Sequence, residues 1–458
     1  MLFFASNLIV MRREKVIIIG AAGRDFHNFN TYFRSNPDFQ VVAFTAAQIP
    51  DIYGRNYPPE LAGTLYPDGI PIYHQDELKN LIRTLGVDIC VFAYSDVTNQ
   101  YVMRISSLVN ACGAEFLLLG PRQTQLSSIK PVISVCATRT GSGKSQTSRK
   151  LVQLLMKKGL RVVAVRHPMP YGNLSAQKVQ RFATLEDLVT HQCTIEEIEE
   201  YEPHIVRGNV IYAGVDYEAI LHAAENDPDG CDIILWDGGN NDFSFYKPDL
   251  SVVVADPHRA GAELSYYPAE INILTADVIV INKIDTAQPD KVEEVRRNIE
   301  AINPSAIVID GASPISVEDP SLIRGKRVLA VEDGPTLTHG EMKMGAAVVA
   351  AKKFNAAQLV DPRPWLAGKL KDTFDTYKNI GTLLPAMGYS PGQVKDLETT
   401  INNTDCDSVI IGTPIDLNRI ITINKPTTRV SYDLEEIGDP KLEDVLDEFL
   451  KKLNLEIQ

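Results

Sequence analysis

The residues best suited to chemistry gather in "TRTGSGKSQ", Thr138 to Gln146. An apolar run ends there, a glycine-rich turn follows, and Lys-Ser leads into a helical pattern. Backbone N–H groups of such a turn, with a helix N-terminus behind it, cradle phosphate oxygens. In the pattern GxxxxGK[ST] the lysine reaches the outer phosphates and the hydroxyl coordinates Mg2+. Lys144 and Ser145 hold those places, and Thr140, Gly141, Ser142, Gly143 and Gln146 complete the expected nucleotide site. The first glycine of the pattern is absent: Thr138 stands there, so the loop has to open wider.

That substitution resembles the deviant-Walker group of phosphate-loop proteins, many of which carry a second basic residue five positions before the loop lysine. Arg139 occupies that position. Two downstream motifs fit the same site. "IILWDGGNND" places Asp237 after an apolar run, where a carboxylate can hold magnesium's water shell, with Gly238 and Gly239 permitting close backbone approach to a terminal phosphate. "VIVINKIDTA" supplies Asn282, Lys283 and Asp285 in the NKxD pattern that recognises guanine, its aspartate accepting from the ring N–H and exocyclic amine. Asparagine can serve adenine as well, so ATP and GTP both stand as cosubstrates, with Mg2+ on Ser145 and Asp237. Lys144, Arg139 and Asp237 are the expected catalytic residues.

An acceptor is read from polar clusters at strand ends. "VRHPMPYGNL" carries Arg166 and His167, "ADPHRAGAE" carries His258 and Arg259, and "VEDGPTLTHGEMKMG" carries His339. Gathering cations is costly unless an anion satisfies them. These five residues are therefore expected to bind a small anionic metabolite.

The elements that must position these residues alternate strand and helix. "KVIIIGAAG", "FQVVAFTAA", "VDICVFAYSD" and "EFLLLGP" predict an N-terminal, Rossmann-like parallel sheet over residues 1–130. A second run of seven strand candidates, from "PVISVCAT" to "RVLAVEDGP", predicts a deviant-Walker phosphate-loop NTPase domain over 131–345. Residues 346–458 read as a helix-rich α/β extension packed on it. The fold class is thus α/β throughout. The opening loop "GAAGRDFHNFN" lacks the acidic partner of a dinucleotide site and is expected to serve the acceptor or a dimer contact instead.

Composition narrows the function classes. The 458 residues carry a net charge of −14, which disfavours nucleic acid as a partner. The six cysteines form no CxxC pair, which points to reduced thiols in the cytoplasm and away from a zinc site. The apolar start "MLFFASNLIV" is too short to cross a bilayer, so no membrane role is expected.

The set "GAAGRDFHNFN", "TRTGSGKSQ", "RHPMPYG", "WDGGNND", "NKID" and "VEDGPTLTHGEMKMGA" resembles the cyclic 2,3-diphosphoglycerate synthetase family, also described as predicted GTPases. The resemblance spans roughly residues 12 to 450. It implies a cytosolic, homodimeric enzyme that uses ATP to close an intramolecular phosphoanhydride. A regulatory or chaperone GTPase is the competing reading.

Overall fold

The computed structural model describes residues 12–454 apart from 22, 48–51, 53, 168, 170, 171, 240, 335–343 and 389. The chain builds three sheets in succession and returns to the second at its end. The first has the order Asn56–Tyr57, Ile70–His74, Phe39–Ala46, Glu14–Ile19, Ile89–Phe92, Glu115–Leu118, parallel except at the Asn56–Tyr57 edge. Its strands are apolar on both faces because helices cover both, the condition for a parallel sheet.

The second sheet has nine strands. Seven parallel ones run Val210–Gly214, Val162–Arg166, Ile233–Asp237, Val132–Ala137, Leu250–Ala255, Val278–Ile281, Ile307–Ala312. Antiparallel edges at Val179–Phe182 and Glu435–Ile437 close it on either side. Val132–Ala137 is central and fully buried, so the phosphate loop that follows it opens at the middle of the carboxyl edge.

The third sheet corrects the sequence reading. "RVLAVED", expected as the last strand of the second sheet, is the centre of a separate one. Arg327–Asp333 pairs in parallel with Ser408–Ile411, Gln358–Leu359 and Leu384–Ala386. Thr427–Tyr432 and Ile315–Val317 extend that sheet beyond Ser408–Ile411. The change of sheet falls between Ala312 and Ile315, before the boundary that strand spacing suggested. A short linker carries no hydrophobic signal that distinguishes continuing one sheet from starting another.

The last helix, Leu442–Lys452, then returns to the second sheet. Leu442, Val445, Leu446, Phe449 and Leu450 pack with Leu151, Val152, Leu154 and Leu155 of the phosphate-loop helix. Full burial of each such side chain contributes about 1.5–3 kcal/mol, and Lys158 fastens the contact by an ion pair to Asp447 at 2.6 Å. The first sheet is joined to the second by a two-stranded ladder, Val97–Thr98 against Tyr266–Tyr267. No described helix is long and apolar enough to cross a membrane.

Candidate nucleotide and acceptor site

Thr138 continues the strand in place of the missing glycine: its N–H bonds Val254 O at 2.9 Å, and Asn241 Nδ2 donates to its carbonyl at 3.1 Å. Gly141 and Gly143 then take positive φ of 79° and 109°, and the helix Lys144–Lys157 starts at once. A side chain at Gly143 would collide with the Asn282 and Gln146 amides, so glycine is required there for space as well as for φ.

Lys144 is buried, and its Nζ donates to Asp237 Oδ1 at 2.6 Å. Asp237 ends its strand at 1% exposure and accepts also from Ser148 Oγ at 2.8 Å. Arg166 stands 3.7 Å from the same oxygen, and His204 Nε2 lies 3.4 Å from the other. Burial alone would raise the Asp237 carboxyl. The charges of Lys144 and Arg166 and the His204 contact outweigh it and hold the group well below the usual carboxylate range. Burial, with Arg166 beside it, lowers the Lys144 ammonium, an effect that Asp237 opposes. The site thus contains an ionised carboxylate next to the lysine expected to meet phosphates.

The NKxD residues sit on the other flank of the loop. Asn282 Nδ2 donates to Ser142 O at 2.9 Å, and Lys283 Nζ to Gly141 O at 2.6 Å and Asp256 Oδ2 at 3.0 Å. Asp285 is exposed and accepts from the Ser313 N–H at 3.2 Å. Gln146 Nε2 donates to Ser313 Oγ at 2.6 Å, linking the helix start to the same corner. Two motif members brace the loop, and the third is left at the rim with a carboxylate that can take a base.

The structure separates the expected acceptor residues. Arg166 and His167 follow Val162–Arg166, whereas His258 and Arg259 follow Leu250–Ala255. Two strands lie between, so the pairs are about 14 Å apart by strand spacing. Arg259 Nη2 contacts Ser142 Oγ at 3.4 Å and Asp256 at 2.9 Å, and His258 contacts Thr286 at 2.9 Å. That pair therefore belongs to the base side of the loop. Arg166 is paired with Glu200 at 2.6 Å and donates to the Gly238 carbonyl. His167 Nε2 meets Asp242 Oδ2 at 2.8 Å, and a side chain at Gly239 would strike its ring. The four described cations do not form one receptor. His339 lies outside the described residues.

Arg139 is likewise turned away from the phosphate helix. Its Nε donates to Asp96 of the first sheet's unit at 2.5 Å, and its guanidinium lies 3.6 Å over the Tyr266 ring. Asp96 also accepts from the Thr140 N–H at 3.0 Å, so a carboxylate from the first unit caps the opening of the loop. Asp96, itself at φ 56°, is held through its own N–H by Asn241 Oδ1 at 2.6 Å.

Ser148, Glu200, His204 and Asp96 escaped the sequence reading. Glu200 and His204 are four apart on one helix, and that spacing in "EEIEEYEPHI" is the one signal that could have paired them. Asp96 ends a quoted strand, but nothing local indicates what it faces. The residues fit magnesium to the extent that Asp237 is charged and Ser145 opens the helix beside it; magnesium takes one or two protein ligands plus phosphates and waters. Among the described residues no group of three His, Cys, Asp or Glu side chains could alone hold a metal ion.

No family model matches the chain. The arginine synthetase ArcE of Thermococcus kodakarensis is 61% identical over 440 residues, covering 96% of this chain and 98% of that protein. The cyclic 2,3-diphosphoglycerate synthetase of the same organism is 24% identical over 268 residues, 52% of this chain and 60% of that one. Among solved structures, LpxK from Aquifex aeolicus in complex with ATP aligns at TM-score 0.43 and 11% identity, covering 82% of this chain and 99% of that one. A ParA family ATPase from Chlorobium tepidum aligns at TM-score 0.24 and 15% identity, over 42% of this chain and 86% of that one.

Proposed function

Because this chain belongs to the family of the Thermococcus arginine synthetase ArcE, we propose that it is a nucleotide-dependent synthetase whose product is arginine. The single observation that carries the reading is the 61% identity along essentially the whole length of both chains. The diphosphoglycerate cyclisation implied by the motifs rests on 24% identity over about half the chain and is the weaker reading. Either reading would place a nucleotide's terminal phosphoryl group on a small acceptor.

Chemistry limits how a phosphate loop can help to make a guanidinium. The carbon must lose an oxygen and gain a nitrogen, and oxide is a poor leaving group. The γ-phosphoryl group moves to the oxygen of a ureido amino acid, breaking the bond to the departing nucleoside diphosphate. Ammonia then attacks that carbon, phosphate leaves with the oxygen, and one nitrogen is added. Lys144 holds the outer phosphates, and the amides of residues 140–144 fix the chain behind them. Ser145 and Asp237 would hold magnesium, which supplies charge neutralisation at the phosphates. Arg166 and His167 lie on the γ-phosphate side and would receive the amino acid's carboxylate by exchanging their contacts to Glu200 and Asp242. His258, Arg259 and Asp285 serve the nucleotide's far end, and Asp285 favours GTP by its reach to a guanine edge.

The test is to incubate purified protein with Mg-ATP or Mg-GTP, ammonium and a ureido amino acid, and to measure arginine and nucleoside diphosphate together. Equimolar formation of both is expected. Slow nucleotide hydrolysis, unchanged by the amino acid and without arginine, would overturn the synthetase reading and favour a switch. A cyclic product from 2,3-diphosphoglycerate would restore the alternative.

A further inference from the structure

The helix Ile195–Ile205 touches two sheets with two faces. Glu200 and His204, one turn apart, reach Arg166 and Asp237 at the carboxyl ends of second-sheet strands. Glu196 and Glu199, also about one turn apart, point to the third sheet. Glu196 accepts from the Gly388 N–H at 3.0 Å, just past Leu384–Ala386, and Glu199 bonds Thr413, just past Ser408–Ile411. Asp333 ends the central strand between them. The carboxyl ends of two parallel sheets thus meet across a single helix, and such ends are where α/β sheets bind ligands.

Glu196 and Glu199 are 1% and 5% exposed. Each nevertheless keeps one carboxylate oxygen, Oε2 of Glu196 and Oε1 of Glu199, without a hydrogen-bond partner. A buried acceptor left without a donor costs about 1–3 kcal/mol, more when charged. Among the described residues the carboxylates of this helix that form ion pairs are Glu200, with Arg166, and Glu202, with Arg419 at 3.3 Å, and not these two. Burial and then the charge of Asp333 push the Glu199 carboxyl well above its ordinary range. Acceptors in excess of donors, in a closed environment, complement a donor-only cation.

We propose that Glu199, flanked by Glu196 and Asp333, is the subsite for a protonated nitrogen group, the guanidinium of arginine or the ammonium that supplies one of its nitrogens. The proposal rests on the arginine reading above and adds the place where the cation sits. The Glu200–Arg166 pair, on the next residue of the same helix, connects that place to Asp237 and Lys144. This is the reverse of the anion receptor expected from sequence: the acceptor's carboxylate meets cations at one end and its nitrogen meets carboxylates at the other.

The experiment compares the full-length wild type with Glu199→Gln by calorimetric titration of L-arginine in the presence of Mg-ADP, and by the KM for ammonium chloride in arginine formation. Loss of a charge-assisted bond predicts a roughly 10- to 100-fold rise in one of the two constants, with Mg-ADP affinity unchanged. A rise for arginine assigns the subsite to the guanidinium; a rise for ammonium alone assigns it to the incoming nitrogen. If wild type binds arginine and Glu199→Gln matches it in both constants, the subsite is wrong and the synthetase reading stands. If wild type binds no arginine and forms none, both fall. Asp333→Asn, measured in the same way, decides the matter should Glu199→Gln fail to fold, with the same rise supporting the subsite and unchanged constants overturning it.

Discussion

Lys144 and Asp237 form a buried ion pair at 2.6 Å, and its meaning depends on what else each can bind. A buried pair is a poor source of stability, because desolving two charges consumes most of their attraction. In the proposed reaction each member has a second use, the lysine on phosphates and the carboxylate on a metal. Lys144→Ala is expected to lower turnover by roughly 10²- to 10³-fold, as removal of a charge that stabilises a transition state does. Steady-state assays with either nucleotide check this, and full activity would remove the loop from the reaction. Gly143→Ala should prevent nucleotide binding altogether, since φ of 109° and the nearby Asn282 and Gln146 amides leave no place for a methyl group. Fluorescent-nucleotide titration reports it directly.

At the scale of elements, the phosphate loop is held by what surrounds it as much as by its own glycines. Asn282 and Lys283 donate to its carbonyls from one side, and Asp96 accepts from its amide and from Arg139 on the other. Asp96 belongs to a different sheet, so the loop's shape depends on that sheet being docked. Asp96→Ala removes a buried carboxylate that accepts from both Arg139 and the Thr140 N–H, a change that costs about 1–3 kcal/mol. Urea unfolding should show that loss, together with weaker nucleotide binding. Asp96→Asn, which can still accept from Thr140, should be milder in both. On the guanine reading of NKxD, Asp285 is the residue that tests base choice. Asp285→Ala should weaken GTP by about tenfold or more and leave ATP nearly unchanged, because a lost charge-assisted bond to the base matters only where the base makes it. Equal effects on both nucleotides would remove guanine preference.

Over the whole molecule, the contact between the first and second units is sensitive to acid. His27 is buried, lies 4.0 Å from Phe245 in a stacked pair, and bonds Thr124 O at 2.6 Å. Burial, then the neighbouring Arg24 charge, lowers its pKa to about 3. A depressed histidine is neutral when folded and protonated when unfolded, so its contribution is complete above about pH 6.5 and declines as pH falls towards 3. Between pH 7 and 5 that loss is about 2 kcal/mol. Glu196, Glu197 and Glu332 act in the opposite sense. Burial raises each to about 7, so they favour the folded chain as pH falls from about 7 towards 4.5. One melting curve mixes the two. The stability gap between wild type and His27→Gln isolates the histidine and should shift by about 2 kcal/mol over that interval, against wild type at pH 5. A constant gap would show that the ring is hydrated.

The shape of the proposed nucleotide half of the site was legible in the sequence because each of its parts is local. A strand, a glycine turn and Lys-Ser define the loop, and NKxD keeps its order at the end of one strand. Those signals fix which backbone groups face a ligand, whatever the rest of the chain does. The acceptor half was not legible, because sequence shows that a cation exists and not what it faces. Arg166 is spoken for by Glu200 and Arg139 by Asp96, each across a contact that no spacing encodes, and Arg259 by Asp256 three residues before it. Likewise, the apolar run "RVLAVED" specifies a buried strand equally well in either sheet; only the long-range pairing with Ser408–Ile411 placed it in the third. The sequence by itself determined the elements and the phosphate grip, since hydrogen bonding and periodicity act between near neighbours. Tertiary structure decided which charges meet, since electrostatic partners are chosen by distance in space.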